Sequence, residues 1–120
     1  MKKHVLVVDD SPTNRQMVTA LLQKEGYAVT TAIDGEDALL KIAAELPPLI
    51  VLDIVLPKMN GYQVLRQLKS APETRNIKVI LVSSKNQEAD RFWGLKQGAD
   101  DYIAKPIPDA ALLTAVARHF

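Results

Sequence analysis

Leu49-Ile50-Val51-Leu52-Asp53 is the stretch that decides the fold. Four consecutive apolar residues leave the segment no polar face, and a carboxylate closes it. Such a strand is buried on both sides, as strands of a parallel sheet are when helices cover both faces. Pro47-Pro48 in front of it ends whatever helix precedes. Moving outward, two more segments have the same form. Val5-Leu6-Val7-Val8 runs into Asp9-Asp10-Ser11-Pro12, and Ile77 to Val82 runs into Ser83-Ser84. Tyr27-Ala28-Val29-Thr30-Thr31 alternates more weakly and suits an edge strand, and Tyr102-Ile103-Ala104 is a short fifth strand before Lys105-Pro106.

Between these strands the period changes from two to 3.6. Met17, Val18, Leu21 and Leu22 share a helix face that Gly26 stops. Asp34-Gly35 turns the chain, and Ala38, Leu39, Ile42 and Leu46 make a second stripe. Val64, Leu65 and Leu68 give a third helix after Gly61. Ala89, Phe92, Trp93 and Leu95 lie on a fourth, closed by Gly98, and Leu112, Leu113, Val116 and Ala117 on a fifth. Strand and helix therefore alternate five times, which predicts an α/β doubly wound parallel sheet with right-handed crossovers.

Composition sets the limits. A chain of 120 residues with 48% apolar and 24% charged side chains has the make-up of one globular domain, expected to span 1–120 with no output domain. The absence of cysteine excludes disulfides, thiolate metal sites and cysteine nucleophiles. Fifteen basic residues against 14 acidic ones are too balanced for a nucleic-acid binder. No apolar run approaches the roughly 20 residues of a membrane span, and the four residues Val5 to Val8 are too few for a signal-peptide core. The expectation is a cytosolic protein without membrane insertion.

In a doubly wound sheet, ligands bind beyond the carboxyl ends of the strands. Those ends carry Asp9-Asp10, Asp53, Ser83-Ser84 and Lys105-Pro106. Three carboxylates on one rim repel each other and call for a cation. Oxygen ligands without His or Cys select a hard divalent ion, and Mg²⁺ fits best because it accepts few protein ligands. Lys105 adds a fixed positive charge, and Ser83 can donate to an incoming oxygen. A carboxylate, Mg²⁺, a lysine and a hydroxyl together suit phosphoryl transfer, where charge builds up on the phosphoryl oxygens.

At this point a resemblance enters. Val5-Leu6-Val7-Val8-Asp9-Asp10, Leu49 to Asp53, Leu56-Pro57-Lys58-Met59-Asn60-Gly61 and Gly98 through Pro106 are similar to the receiver domain of bacterial two-component response regulators, over nearly the whole chain. The resemblance implies a CheY-like, flavodoxin-like sheet of order 2-1-3-4-5. It implies that Asp53 is the phosphoacceptor for a sensor histidine kinase. Asp10, Asp53 and the Val55 backbone carbonyl would hold Mg²⁺, with Asp9 acting through a water. Ser83 and Lys105 would engage the phosphoryl group, the Lys105–Pro106 bond would be cis, and Tyr102 would turn inward as Ser83 moves toward the phosphate. A downstream protein would bind the surface of helix four, strand five and helix five, which carries Lys85, Arg91, Trp93, Lys96, Tyr102 and Ala111. Ser83 stands where Thr is frequent, Ser84 where Ala is, and Asn60 where Asp is, none of which removes a required group. Val55 and Lys85 occupy positions that influence phosphoryl lifetime in the family. Gln87, Asp90, Trp93-Gly94 and Gln97-Gly98-Ala99 also resemble stand-alone receivers of type IV pilus chemosensory systems, with flagellar chemotaxis as the alternative.

Plainer readings compete residue by residue. A carboxylate after a strand is often a helix cap, a strand-end Ser is often only a hydroxyl, and a lone lysine is usually solvated. It is their occurrence together at matching strand ends that favours a site. Trp93 is expected to be a partly buried helix residue, and Gly94 to reflect close packing under the neighbouring strand. His4 and His119 receive no role. As function, a pseudo-receiver that binds partners without phosphorylation is the alternative. An enzyme with an external substrate is not expected. A phosphatase of the haloacid dehalogenase type needs a second acid where Val55 stands, and a nucleotide binder needs a glycine-rich loop where Asp9-Asp10 stand.

Overall fold

The computed structural model describes residues 3–84 and 88–120. Lys85 and Gln87, which the sequence reading assigned to the partner surface and the fourth-helix segment, lie outside the described residues. The elements alternate as β1 (His4–Val8), α1 (Pro12–Lys24), β2 (Ala28–Ala32), α2 (Gly35–Glu45), β3 (Leu49–Asp53), α3 (Gly61–Ser70), β4 (Lys78–Ser83), α4 (Glu88–Lys96), β5 (Asp101–Ala104) and α5 (Asp109–His119). All four strand pairings are parallel, in the order β2-β1-β3-β4-β5. This is the expected five-stranded, doubly wound, CheY-like sheet.

Residues 5–8, 49–53 and 79–83 are all buried, because alternate side chains enter the two layers of core. Leu6, Ile50, Leu52 and Leu81 face α2, α3 and Tyr102 on one side. Val5, Val7, Leu49, Val51 and Ile80 meet Val18 and Leu22 of α1 and Leu112 and Val116 of α5 on the other. Local chemistry starts the helices. Ser11, Asp34 and Asn60 accept from the backbone N–H of Asn14, Asp37 and Gln63 as N-caps, and Gln63 completes a capping box. Gly26 and Gly98 hold φ of +92° and +109° just past α1 and α4, the left-handed conformation that suits glycine.

Several sequence expectations are corrected. Met17 is 62% exposed, since the buried face of α1 centres on Val18 and Leu22. Leu46 is no longer helical: it is the left-handed C-cap of α2, with φ +46°, and is exposed. Asp34-Gly35 is not a free turn but the cap and first residue of α2. On α4, Phe92, Trp93 and Leu95 all point outward, and Gly94 is the buried residue. Trp93 is thus half exposed, more open than the sequence suggested. Gly94 does pack tightly, as expected: a methyl group there would lie 3.0 Å from Leu81 and from the Tyr102 ring.

At the edge of the sheet, Asp9 N donates to Ala32 O, so the alternating ladder turns the Thr31 carbonyl outward. The Lys41 ammonium from α2 donates to that carbonyl. Near the chain ends, Tyr27 stacks on Phe120 with ring centroids 5.4 Å apart. Among the described residues, no helix is long and apolar enough to cross a membrane.

Candidate functional site

The parallel sheet delivers every predicted rim residue to one place. Asp9 follows β1, Asp53 ends β3, Ser83 ends β4, and Lys105 follows β5. Asp9 and Asp53 are each 5% exposed and Ser83 is fully buried, whereas Asp10 opens to solvent. The Lys105 ammonium bridges the two buried carboxylates, 3.1 Å from Asp9 Oδ2 and 3.0 Å from Asp53 Oδ2. The other oxygens are held by backbone. Ser11 N–H donates to Asp9 Oδ1 at 2.9 Å and Val55 N–H to Asp53 Oδ1 at 3.2 Å. One carboxylate oxygen each from Asp9, Asp10 and Asp53 lies within 4.8 Å of the others.

The loop bearing Lys105 is itself anchored. Lys105 N donates to Ser83 O at 2.7 Å, and the Lys105–Pro106 bond is cis as expected. This ties the ammonium to the end of β4. The Ser83 hydroxyl neighbours that of Tyr102. Tyr102 is 3% exposed, turned into the core beside Leu81, so the aromatic lies inward in this structure. Burial pushes its hydroxyl up, and the Ser83 side chain pulls part of that back.

Burial also pushes the Asp53 carboxyl above its ordinary range, with Asp9 adding to the push. The Lys105 bond and charge and the Val55 N–H oppose this without cancelling it. Burial disfavours the Lys105 ammonium too, yet its bonds to Asp53 and Asp9 outweigh that and hold it above its ordinary value. Both values rise, but this disfavours the charged form of Asp53 and favours the charged form of Lys105. Lys105 faces two carboxylates, whereas Asp53 faces one ammonium and a second carboxylate.

Three residues that sequence reasoning did not single out bear on the site or its flank. Arg15 Nη1 donates to the Asp9 backbone carbonyl at 2.8 Å, bracing the acid pair from α1. An arginine one turn into the helix after the acid pair was the available signal. Gly61 sits so close to Asp53 that an added methyl group would lie 2.5 Å from the Asp53 carbonyl oxygen. Asp101, in the first position of β5, is buried and collects Arg118 Nη1 at 3.1 Å, His119 Nε2 at 3.3 Å and Arg91 Nη2 at 3.9 Å. His119 thus has a structural partner. His4 has one as well, lying 2.9 Å from Thr30 Oγ1 and 3.2 Å from Glu45.

A parallel sheet of order 2-1-3-4-5 with an acidic rim and a bridging lysine defines the receiver class of signalling domains. The chain belongs to that family: the response regulator receiver domain matches residues 5–117. It is 44% identical over 112 residues to Protein PilH of Pseudomonas aeruginosa, covering 93% of each chain. It is 42% identical over 115 residues to Protein PilG of the same organism, covering 96% of this chain and 85% of PilG. Among solved structures, the chemotaxis response regulator CheY4 of Vibrio cholerae superposes with a TM-score of 0.93 at 29% identity, over the full length of both chains.

Proposed function

We propose that the protein is a phosphorylation-controlled switch that accepts a phosphoryl group on Asp53 from a phosphohistidine of a sensor kinase. The observation that carries this reading is the gathering of Asp9, Asp10 and Asp53 at one rim with the Lys105 ammonium between two of them. An Asp53 carboxylate oxygen attacks phosphorus, a P–O bond forms and the P–N bond breaks. The imidazole leaves with the electron pair and takes up a proton. Lys105, already 3.0 Å from Asp53, stays paired with the new phosphoryl oxygens, and Ser83 donates its hydroxyl to one of them.

The donor set also fits Mg²⁺. It is made only of oxygen, it is anionic, and its three carboxylate oxygens lie within 4.8 Å of one another. Asp10, Asp53 and the Val55 carbonyl would hold the ion, with Asp9 alongside. When bound, Mg²⁺ supplies positive charge against the transferring phosphoryl oxygens.

The readout runs through Ser83 to Tyr102, whose ring packs beneath α4 and whose backbone carbonyl accepts from Arg91 Nη1 at 2.9 Å. The target-binding face is that of α4, β5 and α5, with Arg91, Trp93, Lys96, Tyr102 and Ala111. A cleft of about 540 Å³ there is walled by Arg91, Ile103, Ala111 and Arg118. Similarity to PilH and PilG supports a chemosensory pathway of the pilus kind.

Intact mass after incubation with acetyl phosphate tests the reading. A gain of one phosphoryl group that needs Mg²⁺ and disappears in Asp53→Asn is expected. If wild type gains none and also forms no beryllofluoride complex, the pseudo-receiver reading replaces it.

A further inference from the structure

We propose that Gly35, the first residue of α2, is a positioning residue for the acidic site and acts through the loop between β3 and α3. This rests on the metal-site reading above and names what holds that site in shape. Gly35 is buried and its backbone is not in the left-handed region, so conformational freedom does not explain a glycine here. Space does. A methyl group on Gly35 would lie 2.7 Å from the Met59 carbonyl oxygen and 2.8 Å from Met59 Cβ. Real contacts of that kind do not occur, and a carbonyl cannot rotate away as a side-chain tip can.

The loop that would have to move is the one that shapes the site. Residues 54–60 follow Asp53 directly and include Val55, whose N–H holds Asp53 Oδ1 at 3.2 Å. The segment has little slack. Gly61 N–H donates to Ile54 O at 2.8 Å and Met59 N–H to Pro57 O at 2.7 Å. The Asn60–Gln63 capping box fixes its far end, and Ile54 and Leu56 are buried. Lys58 already holds a φ of +67°, uncommon for a residue with a side chain. A push at Met59 is therefore passed back toward Val55 rather than absorbed. The first turn of α2 serves as a backstop for the site from an element that contributes none of its ligands. Groups hydrogen-bonded directly to metal ligands change affinity about 10–100-fold when lost, and a support one contact further out belongs at the lower end of that range.

The test is Mg²⁺ titration of wild type, Gly35→Ala and Gly94→Ala by calorimetry, with amide NMR spectra of the metal-free proteins. Gly94→Ala is the control, since its new methyl group meets only side-chain atoms of Leu81 and Tyr102. Gly35→Ala is expected to weaken Mg²⁺ binding about tenfold. Its metal-free amide signals should shift over residues 54–61 and stay in place along β1 and β4, while Gly94→Ala binds Mg²⁺ within twofold of wild type. Should Gly35→Ala fail to fold, Met59→Gly loosens the same contact without adding an atom and is expected to weaken Mg²⁺ about threefold. Wild-type affinity in a folded Gly35→Ala, or in Met59→Gly if that variant is the one measured, overturns the proposal alone. Absence of Mg²⁺ binding by wild type overturns the metal-site reading and the proposal with it.

Discussion

Replacing Lys105 with methionine keeps most of the side-chain stem and deletes the charge that bridges Asp9 and Asp53. Both carboxylates are then buried side by side, each retaining one backbone N–H, from Ser11 and Val55. Removing one partner of a buried ion pair costs about 3–5 kcal/mol. The lower figure applies here, because the rim is near water and a carboxyl can take up a proton to relieve the repulsion. A chain of 120 residues unfolds with an entropy of about 0.25 kcal/mol per kelvin, so about 3 kcal/mol lowers the melting temperature by roughly 12 °C at pH 7 without metal.

The pH dependence identifies the cause. Asp53 already titrates above its ordinary 3.8, and loss of Lys105 raises it further. A carboxyl with a raised folded-state pKa binds more protons folded than unfolded, so stability rises as pH falls through that window. The deficit of Lys105→Met should therefore shrink toward pH 4.5. Lys105 is itself held above its ordinary 10.5, so its stabilisation is full below that value and fades as pH climbs past it, where variant and wild type converge. Saturating Mg²⁺ should restore the variant by more degrees than it adds to wild type. Calorimetric melting at pH 4.5, 7 and 11, with and without 10 mM Mg²⁺, is the assay. A deficit that is equal at pH 4.5 and 7, or that Mg²⁺ does not narrow, would refute the electrostatic account in favour of lost packing.

Other perturbations have defined outcomes. Asp53→Asn removes a carboxylate whose ionisation burial opposes, so the metal-free variant should melt a few degrees above wild type at pH 7, with the gain vanishing near pH 4. Gly61→Ala sets a methyl group 2.5 Å from the Asp53 carbonyl oxygen and should lower stability by about 2 kcal/mol in urea unfolding; a neutral result would show that the loop yields freely. Asp101→Ala frees Arg118 and His119, and hydrogen exchange should quicken over the last turn of α5 while the amides of β1 and β3 stay protected. The stability change from Asp101→Ala should stay near 1 kcal/mol, because both arginines are more than half exposed and solvent screens them.

Much of this molecule was legible in its sequence because its signals are local. Three strands announce themselves by unbroken apolar runs, the two at the edges by weaker β-branched or aromatic segments, and a parallel sheet carries whatever follows each strand to one rim. Asp9, Asp10, Asp53, Ser83 and Lys105 could thus be grouped although 96 positions separate Asp9 from Lys105. The errors arise where burial is decided by a neighbouring element. Met17 and Leu21 repeat at helical spacing, but α1 docks along Val18 and Leu22, leaving Met17 outside. The apolar residues of α4 carry no mark that distinguishes a face meant for the core from one turned to solvent. Gly35 reads as a turn beside Asp34, since its reason lies 24 residues further on, at Met59. Asp101 looks like one of two loop acids until Arg118 and His119 reach it from the last helix.

The lysine laid across the outer rim of β2 has a consequence for life at high concentration. A bare edge invites another chain to add a strand, and an ammonium placed over the outward carbonyl of Thr31 occupies one of the acceptors such an intruder would need. Charge there also makes stacking of copies unfavourable. A Lys41→Ala protein should therefore fold as before yet scatter light sooner on concentration, with the contacts of Lys105 to Asp9 and Asp53 left unchanged.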